Sequence, residues 1–341
     1  MTRDPATGLL AGRPEPLGRR DVVSVITPAY NEAANLPVLY ERLCQTLQSL
    51  DVDWEWIVVD DHSIDGTFDV VAGIAKRDPR VQAIRLSRNF GAHTANTCGM
   101  HHARGDCVVT MAGDLQDPPE TLPALLAEWR AGAQVVWAMR ARREGEKSTT
   151  LGFSRLYYFL MRKMVGIKEM PATGADFFLI GRRVVDAFRQ FGESNVNFFA
   201  LITWMGFRQA TIIYDKHARL HGRSGWTLEK KLKLVVDSIT SFTYLPIRLM
   251  AYVGFLVAVA GFAYAGVVVA NAINGRPAEG WSSLMVVVLV IGGIQMLMMG
   301  VLGEYLWRTL DESRRRPRFL IETTTIPERR VLPVAQDDPG R

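Results

Sequence analysis

Two stretches in the C-terminal third constrain this chain most. Leu249 to Gly275 contains no charged residue, and neither does Gly280 to Gly303. Each exceeds the roughly 20 residues that an α-helix needs to cross the hydrocarbon core of a bilayer. Arg276 and Glu279 are the charges between them, in a short linker that also holds Pro277. Core helices of soluble domains seldom stay uncharged so long, so the pair reads as a membrane hairpin rather than as two buried helices. The flanks set its orientation. Lys230, Lys231, Lys233 and Arg248 precede it, and Arg308, Arg314, Arg315, Arg316 and Arg318 follow it, whereas the linker carries one arginine. The positive-inside rule places both ends in the cytoplasm.

At 341 residues, 48% of them apolar, the chain has room for a soluble domain beside the hairpin. Met1 to Arg20 is polar, with Pro and Gly, and reads as a disordered tail without a signal peptide. Three cysteines (Cys44, Cys98, Cys107), odd in number and without metal spacing, fit a reducing cytosolic domain better than a disulfide framework. The net charge of +5 comes without an aromatic-basic stripe. That balance points to a membrane surface or to phosphates and away from nucleic acid.

Between Asp21 and His221, strand and helix signals alternate. Val22–Thr27, Trp56–Val59, Val81–Leu86 and Cys107–Met111 read as strands, and Asn31–Leu50, Gly66–Lys76 and Gly91–Ala103 as helical stretches between them. Repeated strand-helix-strand units imply an α/β fold with a mainly parallel sheet. Ligands bind such sheets beyond the carboxyl ends of the strands. Three polar clusters fall there: Pro28 to Glu32, Asp60-Asp61, and Asp114-Leu115-Gln116. Asp114 and Gln116 stand two apart, which on an extended segment puts both side chains on one side. Two hard oxygen donors suit Mg²⁺ or Mn²⁺, with the remaining ligands coming from phosphates. A polar surface turn is the alternative for each cluster taken alone.

The wording of these clusters adds a second line of argument. TPAYNE, VVDDHSIDGT, SRNFGAHTA and GDLQDPPE resemble the inverting GT-A fold glycosyltransferases. More narrowly they are similar to the polyprenyl-phosphate glycosyltransferases, the group of dolichol-phosphate mannose synthase and the bacterial undecaprenyl-phosphate sugar transferases. The resemblance runs from about Val22 to Ile321 and includes HGRSGWTLEKKLKLVVDSITSF before the hairpin and GEYLWRTLDESRRRP after it. It implies a Rossmann-like GT-A domain with helices on both faces of the sheet. The expected layout is a tail at 1–20, the GT-A domain at 21–226, an interfacial helix at 227–246, the hairpin at 247–307 (spans at about 249–273 and 281–303), and a basic cytoplasmic tail at 308–341.

The resemblance also implies roles. Pro28, Tyr30, Glu32 and Asp61 match positions that hold the base and ribose of a nucleotide. Asp114 and Gln116 match a metal site beneath the diphosphate. Arg140 matches a basic residue near the donor or lipid phosphate; a solvated loop is its other reading, given Arg142, Arg143, Glu144 and Lys147 beside it. Asp176 matches an aspartate near the acceptor, with a helix cap as the alternative. Arg219, Arg223 and Ser224, with His221, form a basic loop just before the membrane, where guanidinium groups can pair with a lipid phosphate. Leu228, Leu232, Val235, Ile239 and Phe242 then recur at helical spacing, which suits a helix lying in the membrane interface or one packed on the domain.

Three positions depart from the group's pattern: Ala112 where the first carboxylate of Asp-x-Asp-x-Gln is usual, Gly225 where Lys is frequent, and Phe178 where an Arg is common. The expected function is transfer of one sugar, with inversion, from a nucleotide sugar to a polyprenyl phosphate at the cytoplasmic face of the inner membrane, for cell-envelope glycans. The expected partners are nucleotide sugar, lipid and bilayer, with homo-oligomerisation left open. Two rival readings are a non-catalytic scaffold, motivated by Ala112, and a processive polysaccharide synthase, which would normally show a Gln-x-x-Arg-Trp segment and more membrane helices.

Overall fold

The computed structural model describes residues 20–141, 177–192, 198–216, 245–274, 280–314 and 316–327. Eight strands form one mixed sheet in the order β7-β5-β6-β4-β1-β2-β3-β8. They are β1 (Asp21–Ala29), β2 (Val52–Asp60), β3 (Val81–Leu86), β4 (Cys107–Thr110), β5 (Val135–Arg140), β6 (Phe178–Gly181), β7 (Gln209–Tyr214) and β8 (Ile321–Thr324). The centre, β4-β1-β2-β3, is parallel. β6 runs antiparallel to β4 and β5, and β8 antiparallel to β3, so the sheet is less uniformly parallel than alternation alone predicts.

Helices cover both faces, because the central strands are apolar on both sides. On one face lie α1 (Leu36–Gln48), α2 (Thr67–Ala75) and α4 (Leu122–Arg130); on the other lie α3 (Ala92–His102), α5 (Arg182–Phe188) and α6 (Phe198–Trp204). Leu36, Leu39, Leu43 and Leu47 recur at helical spacing and are all buried. Each such side chain contributes about 1.5–3 kcal/mol of burial. Pro37 sits in the first turn of α1, where a missing N–H costs nothing, and the helix therefore starts later than Asn31.

Phe178 lies fully buried in β6, 5.2 Å from the Trp137 ring, so this departure from the group's pattern is a core residue here. Two long helices follow the sheet's first seven strands: α7 (Leu245–Ile273) and α8 (Trp281–Ser313). Their apolar windows, Pro246–Asn271 and Leu284–Ser313, have mean hydropathies of 2.3 and 2.5, and none of the described residues in them is buried in the protein. Length and composition suit both to crossing a membrane, and their exposure separates them from core helices.

The topology fixes which edge carries chemistry. β5 and β7 are parallel, with Arg140 opposite Tyr214, and β6 joins them to β4 by two antiparallel pairings. The last residues of β1, β2, β4, β5 and β7 therefore reach the same edge. β8 enters the sheet there too, since Ile321 pairs with Leu86.

Candidate active site

β1 has β2 on one side and β4 on the other, and a crevice opens where the order of an open sheet reverses in this way. The loops after these strands interlock. Asn31, in the left-handed region (φ 58°), donates its N–H to Ser63 Oγ at 2.9 Å and accepts the Ile64 N–H on its own Oδ1 at 3.0 Å. Glu32 N–H donates to Thr67 Oγ1 at 3.0 Å, and Ala33 N–H to Asp65 Oδ2 at 3.1 Å. The TPAYNE and DDHSIDGT turns thus form one rigid unit. Tyr30 stands out from it, 48% exposed, with Pro28 half-buried in β1.

Asp60 and Asp61 are both buried and do different work. Asp60 accepts the Ser63 N–H and pairs with Arg85 Nη1 at 3.0 Å. Asp61 accepts the backbone N–H groups of Phe90 and Gly91, one on each oxygen, at 2.7 Å. It therefore ties the second cluster to the SRNFGAH loop; Gly91 supplies the φ of 93° that the turn into α3 needs. Burial raises the Asp61 pKa, and the two N–H donors oppose the rise. The expected base or ribose contact would have to use the carboxylate's remaining lone pairs.

The third cluster is built differently from the sequence expectation. β4 stops at Thr110, and Asp114 and Gln116 lie on a turn in which Leu115 is buried with φ 62°. An extended segment is not what places the two side chains. Instead Asp114 Oδ1 accepts the Gln116 N–H at 3.2 Å, so the turn closes on its own carboxylate. Gly113 packs this turn onto the first cluster: a Cβ there would meet Glu32 Cγ at 3.5 Å and Thr27 Cγ2 at 3.4 Å. Beyond it, Asp117 is fully buried and accepts the Tyr214 hydroxyl at 2.6 Å, with Lys216 Nζ 3.5 Å away. Nothing local in the sequence marks Asp117, Tyr214 and Lys216 as a group, because they meet only once β7 joins the sheet.

Pro28, Tyr30, Glu32, Asp61, Asp114, Gln116 and Arg140 are therefore all at the one sheet edge, Arg140 as the last residue of β5. Asp176, Arg219, His221, Arg223 and Ser224, and the expected interfacial helix, lie outside the described residues. Among the described residues no group of three or more His, Cys, Asp or Glu side chains can hold a metal ion. One carboxylate and one amide oxygen, Asp114 and Gln116, still fit Mg²⁺ or Mn²⁺, which take few protein oxygens where phosphates and water complete the shell.

Likeness to known proteins gives the class of the chain. Residues 24–188 match the model of Glycosyl transferase family 2, and residues 245–308 match that of the GtrB C-terminal hairpin. The chain belongs to glycosyl transferase family 2 and is a GT-A, Rossmann-like glycosyltransferase. It is 35% identical over 307 residues to the uncharacterized glycosyltransferase YkcC of Bacillus subtilis (strain 168), covering 90% of this chain and 95% of that one. It is 32% identical to the bactoprenol glucosyl transferase of Shigella phage SfV, over 88% of this chain and 98% of the relative. Among solved structures, glucosyl-3-phosphoglycerate synthase from Mycobacterium tuberculosis aligns with a TM-score of 0.47 at 17% identity, over 64% of this chain and 78% of that chain.

Proposed function

We propose that this glycosyltransferase moves a single sugar from a nucleotide sugar to a polyprenyl phosphate at the cytoplasmic face of the cell membrane, inverting the anomeric carbon. The observation that carries the reading is the likeness to bactoprenol glucosyl transferases over nearly their full length, hairpin included. The topology supports it: β7 leaves the sheet and β8 enters it at the edge that carries the site clusters, with the two apolar helices between them in the chain.

In this reading Pro28, Tyr30, Glu32 and Asp61 bind the nucleoside. Asp114 and Gln116 would hold a divalent cation, which when bound neutralises charge on the leaving diphosphate. Arg140, at the end of β5, adds a fixed positive charge to the same edge. A polyprenyl phosphate is already anionic at neutral pH, so its oxygen needs no general base to attack the sugar. It needs placement in line with the anomeric carbon, the task assigned to Arg219, Arg223 and Ser224. Asp176 is assigned to the acceptor side. The domain limits follow the sequence layout, with the catalytic domain at 21–226, except that β8 (Ile321–Thr324), from the expected tail, completes its sheet and the second long helix runs on to Ser313.

The test is an assay of membranes containing the full chain with labelled UDP-glucose, UDP-N-acetylglucosamine and GDP-mannose and added undecaprenyl phosphate. One donor should give a lipid-phosphate sugar product, and Asp114→Asn should abolish it while leaving the melting temperature unchanged. Near-normal transfer by that variant at limiting metal would remove Asp114 from the mechanism. Absence of product from every donor would defeat the reading.

A further inference from the structure

The chain that leaves the second long helix returns to the catalytic domain and packs along it. Arg318 Nη2 donates to the Phe191 carbonyl at 2.6 Å, and Phe319 and Ile326 are buried in the core on the α3 face. Leu320 O accepts the Ser87 N–H at 2.9 Å, β8 pairs with β3, and Thr325 exchanges two hydrogen bonds of 2.9 Å with Ala83. This cover occupies the exposed edge of the sheet. Capping an edge accounts for the backbone pairing but not for Glu322.

The Glu322 carboxylate pairs with Arg85 Nε at 2.9 Å and lies 3.4 Å from His62 Nδ1, which itself bonds the Leu86 carbonyl at 3.1 Å. Arg85 reaches on from there, with Nη1 on Asp60 at 3.0 Å and Nη2 donating to the Ser63 carbonyl at 3.1 Å. His62 holds φ at 62°, a conformation that a side chain with a Cβ resists. Asp60 and His62 flank Asp61, whose oxygens fix the Phe90–Gly91 turn. One carboxylate from beyond the membrane helices thus braces the strained loop that presents Asp61.

We propose that Glu322 is a positioning residue for the nucleotide sugar, and that the segment Arg316–Pro327 is part of the donor site. The proposal rests on the reading of this edge as a nucleotide-sugar site. Glu322 acts through Arg85 and His62: it holds the 60–63 loop in the conformation that the donor requires, so that less ordering remains to be done on binding. The lipid phosphate, assigned to Arg219, Arg223 and Ser224 rather than to this loop, is not affected by it.

The experiment uses the full chain in nanodiscs, with Glu322→Gln to remove the charge at constant shape. Hydrogen exchange of the nucleotide-free protein reads the brace directly. Amides of residues 61–66 and 87–91 should exchange faster in the variant by about fivefold, the scale of one partly exposed ion pair, with β1 and β4 unchanged. In the transfer assay the KM for the nucleotide sugar should rise by a similar factor of about five, while kcat and the KM for undecaprenyl phosphate stay as in the wild type. Thr323→Ala, on the same strand, should change neither reading. Unaltered exchange in both loops, or an unaltered donor KM, would overturn the proposal. So would a joint change of both KM values and kcat with a lower melting temperature, which is what a merely structural role produces. A wild type inert with UDP-glucose, UDP-N-acetylglucosamine and GDP-mannose would defeat the transferase reading instead, and the exchange data alone would then decide whether Glu322 braces the loop.

Discussion

Tyr214, the last residue of β7, donates its hydroxyl to Asp117 Oδ1 at 2.6 Å, in a position where Asp117 is fully buried. The bond ties the turn that carries Asp114 and Gln116 to the edge strand β7, three places from β4 in the sheet. Lys216, two residues further on, stands 3.5 Å from the same carboxylate and offsets its charge. The anchor lies two residues from Leu115, which is buried and holds the left-handed region at φ 62°.

Removing that hydroxyl gives the first prediction. Tyr214→Phe keeps the ring packed edge-on against Phe177 and leaves the carboxylate one donor short. A hydrogen bond to a charged, buried group is worth about 1.5–3 kcal/mol, and the variant should lose that much unfolding free energy in denaturant titrations. Its half-saturating Mg²⁺ concentration should also rise. Wild-type stability together with a wild-type metal response would show that the turn is held by other means.

Topology gives the second. β8 belongs to the same sheet as β1 to β7, although α7 and α8 lie between β7 and β8 in the chain. If both helices span the membrane, the two flanks must share one side. In a Cys44→Ser background, with Cys98 and Cys107 buried, a cysteine at Ala278 should react with an impermeant maleimide in intact cells. Cysteines at Arg20 and Arg330 should react only after permeabilisation. Labelling of either terminus in intact cells would reverse the assignment of the catalytic domain to the cytoplasm.

Much of this architecture is legible in the residues. The central strands are apolar runs that end in polar clusters, and α1 announces itself by leucines at helical spacing. The hairpin follows from charge alone. What escapes a reading of the sequence is long-range or conformational. β8 is four residues long, with the polar Glu322, Thr323 and Thr324 in it, and gains its strand only by pairing with β3. The Glu322–Arg85 pair joins residues far apart in the chain, and nothing local in either segment signals it. Leu115 at positive φ is likewise invisible, because a leucine carries no turn signal; the extended geometry assumed for Asp114 and Gln116 fails for that reason.

The third prediction concerns acid. His101 packs against Phe319, with ring centroids 5.9 Å apart, and its pKa falls from 6.5 to about 4. Burial is the main cause, and the nearby Arg189 and Arg318 guanidinium groups push the same way. His102, also lowered chiefly by burial, acts in the same direction. The unfolded chain takes up the proton first as pH falls. The stability these histidines confer is therefore fully present above about pH 6.5 and drains away toward about pH 4. The melting temperature of the full chain should decline across that window, and His101→Gln should flatten part of the decline. An identical pH profile for this variant would exclude His101 as a source.

The last prediction separates the two substrates. In the proposed mechanism the nucleoside clusters and the pre-membrane loop serve different molecules: the first hold the donor, and Arg219 and Arg223 hold the lipid phosphate. A phosphate oxygen that needs no base still needs its charge shielded as it approaches a diphosphate, and a guanidinium does this through charge-assisted, bidentate contacts. Arg219→Ala should therefore raise the apparent KM for undecaprenyl phosphate, while that for the nucleotide sugar stays nearly constant. Loss of one such contact costs about 1.5–3 kcal/mol, or roughly ten- to over a hundredfold. Tyr30→Ala should show the opposite pattern, since Tyr30 stands exposed at the nucleoside edge. Equal loss of donor affinity in Arg219→Ala, or no change in its lipid dependence, would assign that loop to another task.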